Sequence, residues 1–293
     1  MRDERCLSRA AYFYCLKTAN GHEPGECRGL LRTVNGGRRI DRWDGGLTER
    51  YYTELSQIRF YKLHPSYIPF VGSDYDTYRI LHIGESHYCG AMDAERFGID
   101  YFSRWFDEPC AEVECGLLQN NITRRVAKGV VDEGDRFSVF DNILRSFLKV
   151  VAEEESPHIS KCNRCRYNYF AFMNYYPFPA FREKGSFLDS IRDYSKTRGS
   201  RAAADKLIEA CESAATDTVD AVIEILKPRC IVFSSCDAGS AYKKHNGKYK
   251  DDPRMIYTSH PARPFTWNKP LSGLGYQKGI DVFEDGLKRI YRK

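Results

Sequence analysis

The chain mixes two hydrophobic patterns: short solid apolar runs, and longer stretches with apolar positions every third or fourth residue. Four runs are of the first kind: YRILHI (78–83), YNYFAFMN (167–174), RCIVFSS (229–235) and RMIYTSH (254–260). Each is rich in Ile, Val, Phe or Tyr and is stopped by small or polar residues, which predicts a buried strand. Between them the period lengthens. In FSVFDNILRSFLKVVAEE, Val139, Ile143, Leu144, Phe147, Leu148 and Val151 fall on one helical face. In AAADKLIEACESAATDTVDAVIEILKP, Leu207, Cys211, Ala214, Val222, Ile223 and Leu226 do the same, with a break expected near Ala215 and an end at Pro228. Residues 92–150 read as mostly helical, a short helix follows the third strand, and KGIDVFEDGLKRIYRK closes the chain as a helix.

Strands alternating with helices predict a parallel sheet covered on both faces. The expected fold class is α/β: a three-layer α/β/α sandwich around a central, mainly parallel four-stranded sheet. The first 70 residues lack this rhythm. LTERYYTELSQIRFYKL reads as one amphipathic helix ending near Pro65, amid loop-like stretches dense in Gly, Pro and Asn. Residues 1–70 are therefore expected to be a helical N-terminal extension packed on a main domain of residues 71–293.

Composition narrows the class without naming a function. With 42% hydrophobic and 29% charged residues, 293 residues can build a sizeable core, which argues against global disorder. A net charge of +5 is a weak pointer to a polyanionic partner, and clusters matter more. Arg38, Arg39 and Arg42 form one; Lys243, Lys244, Lys248 and Lys250 form another, interleaved with tyrosine. Such runs are commonly solvated faces, although basic stretches with aromatics also suit stacking on nucleobases. The 11 cysteines are irregularly spaced, the start is charged, and no apolar stretch is long enough to span a membrane. These features imply reduced thiols and a cytoplasmic location. Cys162 and Cys165 make only half of a zinc-knuckle pattern, so no metal is expected.

The chemistry gathers where the strands stop. Gly84-Glu85-Ser86-His87-Tyr88 follows the first, Asn174 ends the second, Ser234-Ser235 the third and Ser259-His260 the fourth. In a parallel sheet these ends share one edge, where ligands bind. Taken singly, Asn174 could form an Asx turn, Glu85 could cap a helix and His260 could cap a loop.

As an ordered set, these segments resemble the uracil-DNA glycosylase superfamily across residues 77–293. Gly84-Glu85-Ser86-His87-Tyr88 stands in place of the family's first motif, such as Gly-Gln-Asp-Pro-Tyr-His or Gly-Glu-Ala-Pro-Gly. FMNYYPFP is similar to the Asn-Tyr-Cys-Pro-Leu segment of the single-strand-selective branch, and SHPARPFTWN to the His-Pro-Ser-Pro motif.

The resemblance implies base flipping and hydrolysis of the N-glycosidic bond of an altered or modified base, leaving an abasic site. It implies Glu85, Ser86 and His260 as catalytic residues, with His260 donating to the departing base. Gly84, Tyr88 and Asn174 would bind the base, Tyr88 walling the pocket and Asn174 reading its edge. Ser235, Arg263, Phe265, Trp267 and Lys269 would bind DNA, the bulky members (with Pro264) filling the gap left by the flipped base. The implied partner is DNA, bound by a monomer without cofactor.

The sequence also departs from the family. Ser86 replaces the water-positioning Asp or Asn of several branches, leaving Glu85 as the only carboxylate of the motif. His87 replaces Pro, and Ala262-Arg263 replaces Ser-Pro. Cys6, Cys15 and Cys27 do not reproduce the spacing of the iron–sulfur branch, so no cluster is expected. A catalytically inactive nucleic-acid-binding protein of the same fold is the alternative, and an enzyme of free nucleosides a weaker one.

Overall fold

The computed structural model describes residues 49–88, 104–105, 107–109, 123–154, 164–177, 179–180, 187–198 and 200–292. They belong to one compact unit, Asp44–Lys293. Expectations for residues 1–48, including the cluster at Arg38, Arg39 and Arg42, lie outside the described residues, as does Cys162.

In chain order the elements are α1 (Glu49–Leu55), α2 (Arg59–Leu63), β1 (Phe70–Val71), α3 (Tyr75–Tyr78), β2 (Ile80–Gly84), β3 (His87–Tyr88), α4 (Thr123–Lys128) and α5 (Ser138–Val150). There follow β4 (Phe170–Asn174), β5 (Pro179–Ala180), α6 (Phe187–Arg198), α7 (Arg201–Leu226), β6 (Cys230–Phe233), α8 (Cys236–Lys244), β7 (Met255–Tyr257), α9 (Pro264–Asn268) and α10 (Gly279–Tyr291).

The main sheet has five strands in the order β1-β4-β2-β6-β7. β4, β2, β6 and β7 run parallel, and β1 pairs antiparallel with β4. The expected four strands are thus present, and the expected count is corrected by a fifth. β1 is only two residues long, too short to show a period. β3 and β5 form a separate two-stranded parallel ribbon.

Burial explains why the four parallel strands read as solid apolar runs. Leu81, Ile83, Ala171, Met173, Ile231 and Phe233 join a core with residues of α1, α2, α6, α7 and α8. Their alternates Ile80, Phe170, Phe172, Cys230, Val232 and Ile256 join a second core with α4, α5, α9 and α10. Successive strand residues point to opposite faces, and here both faces are apolar.

Three local expectations change. The helix read across residues 47–63 is interrupted at Ser56–Ile58, where Gln57 and Ile58 donate to carbonyls three residues back. Tyr51, Leu55, Phe60 and Tyr61 of its two halves are all buried in the first core. α7 runs unbroken through Ala215: Ser200 caps its start, and the Thr218 hydroxyl bonds the Ala214 carbonyl 2.8 Å away instead of opening the helix. The strand expected from residue 167 begins at Phe170, because Cys165–Tyr169 form a 3₁₀ turn. Among the described residues, no helix is long and apolar enough to cross a membrane.

Candidate functional site

Strand order sets the location of the site. The chain passes from β2 to β4 on one side, then crosses to β6 on the other. That reversal is a topological switch point, which opens a crevice at the carboxyl ends of β2 and β6. The pairing of Ile83 with Phe233 brings the segment after Gly84 alongside Ser234 and Ser235.

Glu85 enters this crevice first. It is 8% exposed, and its Oε2 accepts a hydrogen bond from Ser235 Oγ at 3.0 Å. Burial raises the carboxyl pKa above its ordinary value; the Ser235 bond and Arg263 oppose this, while Asp237 and Asp189 add to it. Oε1 of Glu85 and Oγ of Ser86 are both buried with no partner among the described residues. Buried polar atoms are rarely left unsatisfied, so each is a position where a polar ligand atom would fit.

Gly84 and Asn174 face each other across β2 and β4. A Cβ on Gly84 would lie 2.5 Å from Asn174 Oδ1 and 3.3 Å from the Phe172 ring. Glycine is therefore required by close approach: the Asn174 amide lies over it. Beyond Asn174, the Tyr175 and Tyr176 amides donate to the carbonyls of Gly84 and Glu85. Both tyrosine rings are buried beneath α7 and hydrogen-bonded to Glu212, at its carbonyl and its carboxylate respectively. They stiffen the rim.

His260 follows β7 and is half-buried. Its Nδ1 accepts from the Ala262 backbone N–H at 3.2 Å, which leaves the ring proton on Nε2. Burial, aided by Arg263, pushes its pKa down to about 4, so the ring is neutral at pH 7. The arrangement presents a neutral N–H donor, as required of a group that stabilises developing negative charge without transferring a proton first.

Beneath the site runs a polar chain that the sequence reading did not assign. His82, in the middle of β2, is fully buried. The Ser234 hydroxyl donates to the Ile83 carbonyl at 3.2 Å, so it accepts from His82 Nε2 at 2.7 Å. His82 Nδ1 then accepts from the Tyr167 hydroxyl at 2.7 Å. Burial, reinforced by the nearby His260, pushes the His82 pKa down to about 3. The available signal was a lone histidine inside an apolar strand.

Comparison with known proteins returned no match among family models, curated proteins or solved structures. The site therefore rests on its own geometry.

Glu85, Ser86, Ser235, Gly84, Asn174 and His260 all stand at the carboxyl ends of β2, β4, β6 and β7, with Glu85 bonded to Ser235 and Gly84 packed on Asn174. Tyr88 has its backbone in β3, paired with Ala180, and its side chain lies outside the described residues. Ser235 faces inward, 3% exposed, capping α8 and holding Glu85. Arg263, Phe265 and Lys269 are exposed; Phe265 is 71% exposed, with the Lys269 ammonium 4.7 Å from its ring centre. Trp267 is a correction. It is 2% exposed and packs in the second core beside Phe283, so it cannot serve as a wedge.

The basic stretch that begins in the last turn of α8 is mostly neutralised. Lys244 bridges Glu209 and Glu212 at 2.5 and 2.9 Å, and Lys248 pairs with Glu224. Glu209, Glu212 and His245 lie close enough to suggest metal ligands, but Lys244 already supplies the cation between those carboxylates.

Proposed function

We propose that the protein is a monofunctional DNA glycosylase on a three-layer α/β/α frame, acting on a uracil-like or modified pyrimidine. The observation that carries the reading is that a buried carboxylate, an amide and a neutral imidazole N–H stand along the carboxyl edge of one parallel sheet, the carboxylate at its switch point. They come from the ends of β2, β4 and β7. Hydrolysis of an N-glycosidic bond makes separate demands that match them. The departing sugar is cation-like, the departing base gains negative charge, and the base must be read at its edge.

Glu85 Oε1 and Ser86 Oγ would hold the attacking water, with Glu85 accepting its proton as the oxygen bonds to C1′. The C1′–N pair leaves with the base, and His260 Nε2–H donates to the base oxygen where that charge collects. A donor so placed commonly contributes about 3 kcal/mol. The Asn174 amide offers both a donor and an acceptor to a pyrimidine edge. Arg263, Phe265 and Lys269 would meet the strand outside. As written, the reaction uses no cofactor.

The rival reading, binding without cleavage, draws on Ser86, which cannot replace a carboxylate as a base. Purified protein incubated with oligonucleotides carrying uracil, other deaminated bases or modified cytosines separates the two. Alkali-labile sites and free base support the glycosylase; salt-dependent binding with no free base supports the rival.

A further inference from the structure

A cavity of about 250 Å³ opens beside this site, shared between the first turns of α8, the end of β7 and the turn around residues 272–277. Ser235 lies on its wall as well as against Glu85, so the cavity adjoins the candidate site directly. Its lining is mixed: the Tyr257 ring and Leu274 are apolar, while Ser240, Lys243 and Gln277 offer donors.

Lys243 distinguishes this cavity. Of the lysines at 243, 244, 248 and 250, Lys244 and Lys248 are ion-paired and Lys250 donates to Asn246 Oδ1. Lys243 is in no ion pair among the described residues. Its ammonium instead sits 3.7 Å from the centre of the Tyr257 ring, on the cavity wall. Asp220, which bears on the Tyr257 hydroxyl, is already engaged by the Tyr242 hydroxyl and the Lys248 N–H. An exposed ammonium held on a ring at a cavity wall, with no carboxylate bonded to it among the described residues, is placed to meet an anion.

The turn that closes the cavity carries a second feature. Tyr276 lies between Gly275 and the lining residue Gln277 and is 77% exposed. Its φ is +61°, a left-handed conformation that bulky side chains rarely adopt. The turn is held by the Leu271–Gln277 bridge and by the Tyr276 N–H donating to the Leu271 carbonyl at 2.8 Å. The fold thus holds an unusual backbone in place to project an aromatic ring into solvent, and such outliers gather at ligand-binding positions.

We propose that the cavity and this turn form a subsite for the nucleotide flanking the flipped one in a single DNA strand. Lys243 holds its phosphate, and Tyr276 stacks on its base. Charge and stacking are the two elements of sequence-tolerant single-strand binding. The proposal rests on the glycosylase reading and adds to it a contact with the flanking nucleotide.

The test uses the full chain and labelled single-stranded deoxyoligonucleotides carrying uracil, another deaminated base or a modified cytosine. Binding is followed by anisotropy across a salt series, and base release is followed on the same samples. Both side chains are exposed, so the variants should keep the parent's melting temperature. Lys243→Gln should make the slope of log affinity against log salt shallower by about 0.7, the value for one phosphate on a single strand. Tyr276→Ala should bind on the order of tenfold more weakly, and Tyr276→Phe should restore binding. Base release at saturating strand should be unchanged in all of them. A parent that binds and releases base, with variants matching its affinity and slope, overturns the subsite alone. A parent that binds no single strand overturns the subsite, and one that releases no base from any strand, single or paired, overturns the glycosylase reading as well.

Discussion

Ser235 Oγ donates to Glu85 Oε2 across 3.0 Å, although 150 residues separate them in the chain. The bond joins the ends of the two strands at which the strand order reverses, and it fixes one carboxylate oxygen while the other has no partner among the described residues. Ser235→Ala removes the interaction that holds the Glu85 pKa down against burial. Activity requiring the Glu85 carboxylate is lost as pH falls through that pKa. The acid limb of the kcat/KM profile should therefore move to higher pH. Loss of the α8 cap should also cost about 1 kcal/mol in urea unfolding. An unmoved acid limb would show that Ser235 does not tune Glu85.

Gly84→Ala places a Cβ 2.5 Å from Asn174 Oδ1. The amide must move or the strand ends must part. A stability loss of about 1–3 kcal/mol is expected from the overpacking, together with weakened discrimination between bases, read from release rates on a panel of oligonucleotides. Retained discrimination would mean that the Asn174 amide does not depend on this contact.

Asn174→Asp should shift preference toward a ring presenting an amino donor, as cytosine does, because the carboxylate accepts hydrogen bonds and the amide donor is gone. The identity of the released base, measured by mass spectrometry, checks this. An unchanged preference would take base reading away from Asn174.

The paired behaviour of Phe265 and Trp267 separates surface from core. Trp267→Ala should cost about 3–5 kcal/mol, as for other large core truncations. Phe265→Ala should leave stability within about 0.5 kcal/mol and weaken strand binding. Equal effects on stability would contradict their placement.

These residues also show what could be read from the chain. The ends of β2, β6 and β7 were legible because each apolar run stops abruptly at a small or polar residue, and both faces of those strands are covered. β1 was not, since two residues carry no period. Nor was the 3₁₀ turn before β4, because Tyr167 and Tyr169 share the apolar aromatic character of the strand they precede. Phe265 and Trp267 are two residues apart in a short segment, where sequence cannot say which ring turns inward. Glu85 was legible as the motif's only carboxylate, but its bond to Ser235 depends on the register of Ile83 with Phe233, which only the fold sets.

His82 gives stability a pH dependence. Its folded pKa, about 3, lies below the ordinary value of 6.5. Between those values the unfolded chain binds the extra proton, so stability falls as pH falls from 6.5 toward 3, by up to about 1.4 kcal/mol per pH unit. His82→Gln should flatten that slope in urea unfolding at pH 7 and pH 5, while costing stability at both through the altered Tyr167 and Ser234 contacts. A slope identical to the parent's would remove His82 as its source.

The most direct measurement of the central claim is base release by the parent and by the Asn174→Ala/His260→Ala double variant on a mixed panel of altered-base oligonucleotides. The account predicts one class of free base and alkali-labile sites from the parent, and loss of both in the double variant with folding intact. No base released by the parent from any substrate, or equal release by the double variant, would contradict it.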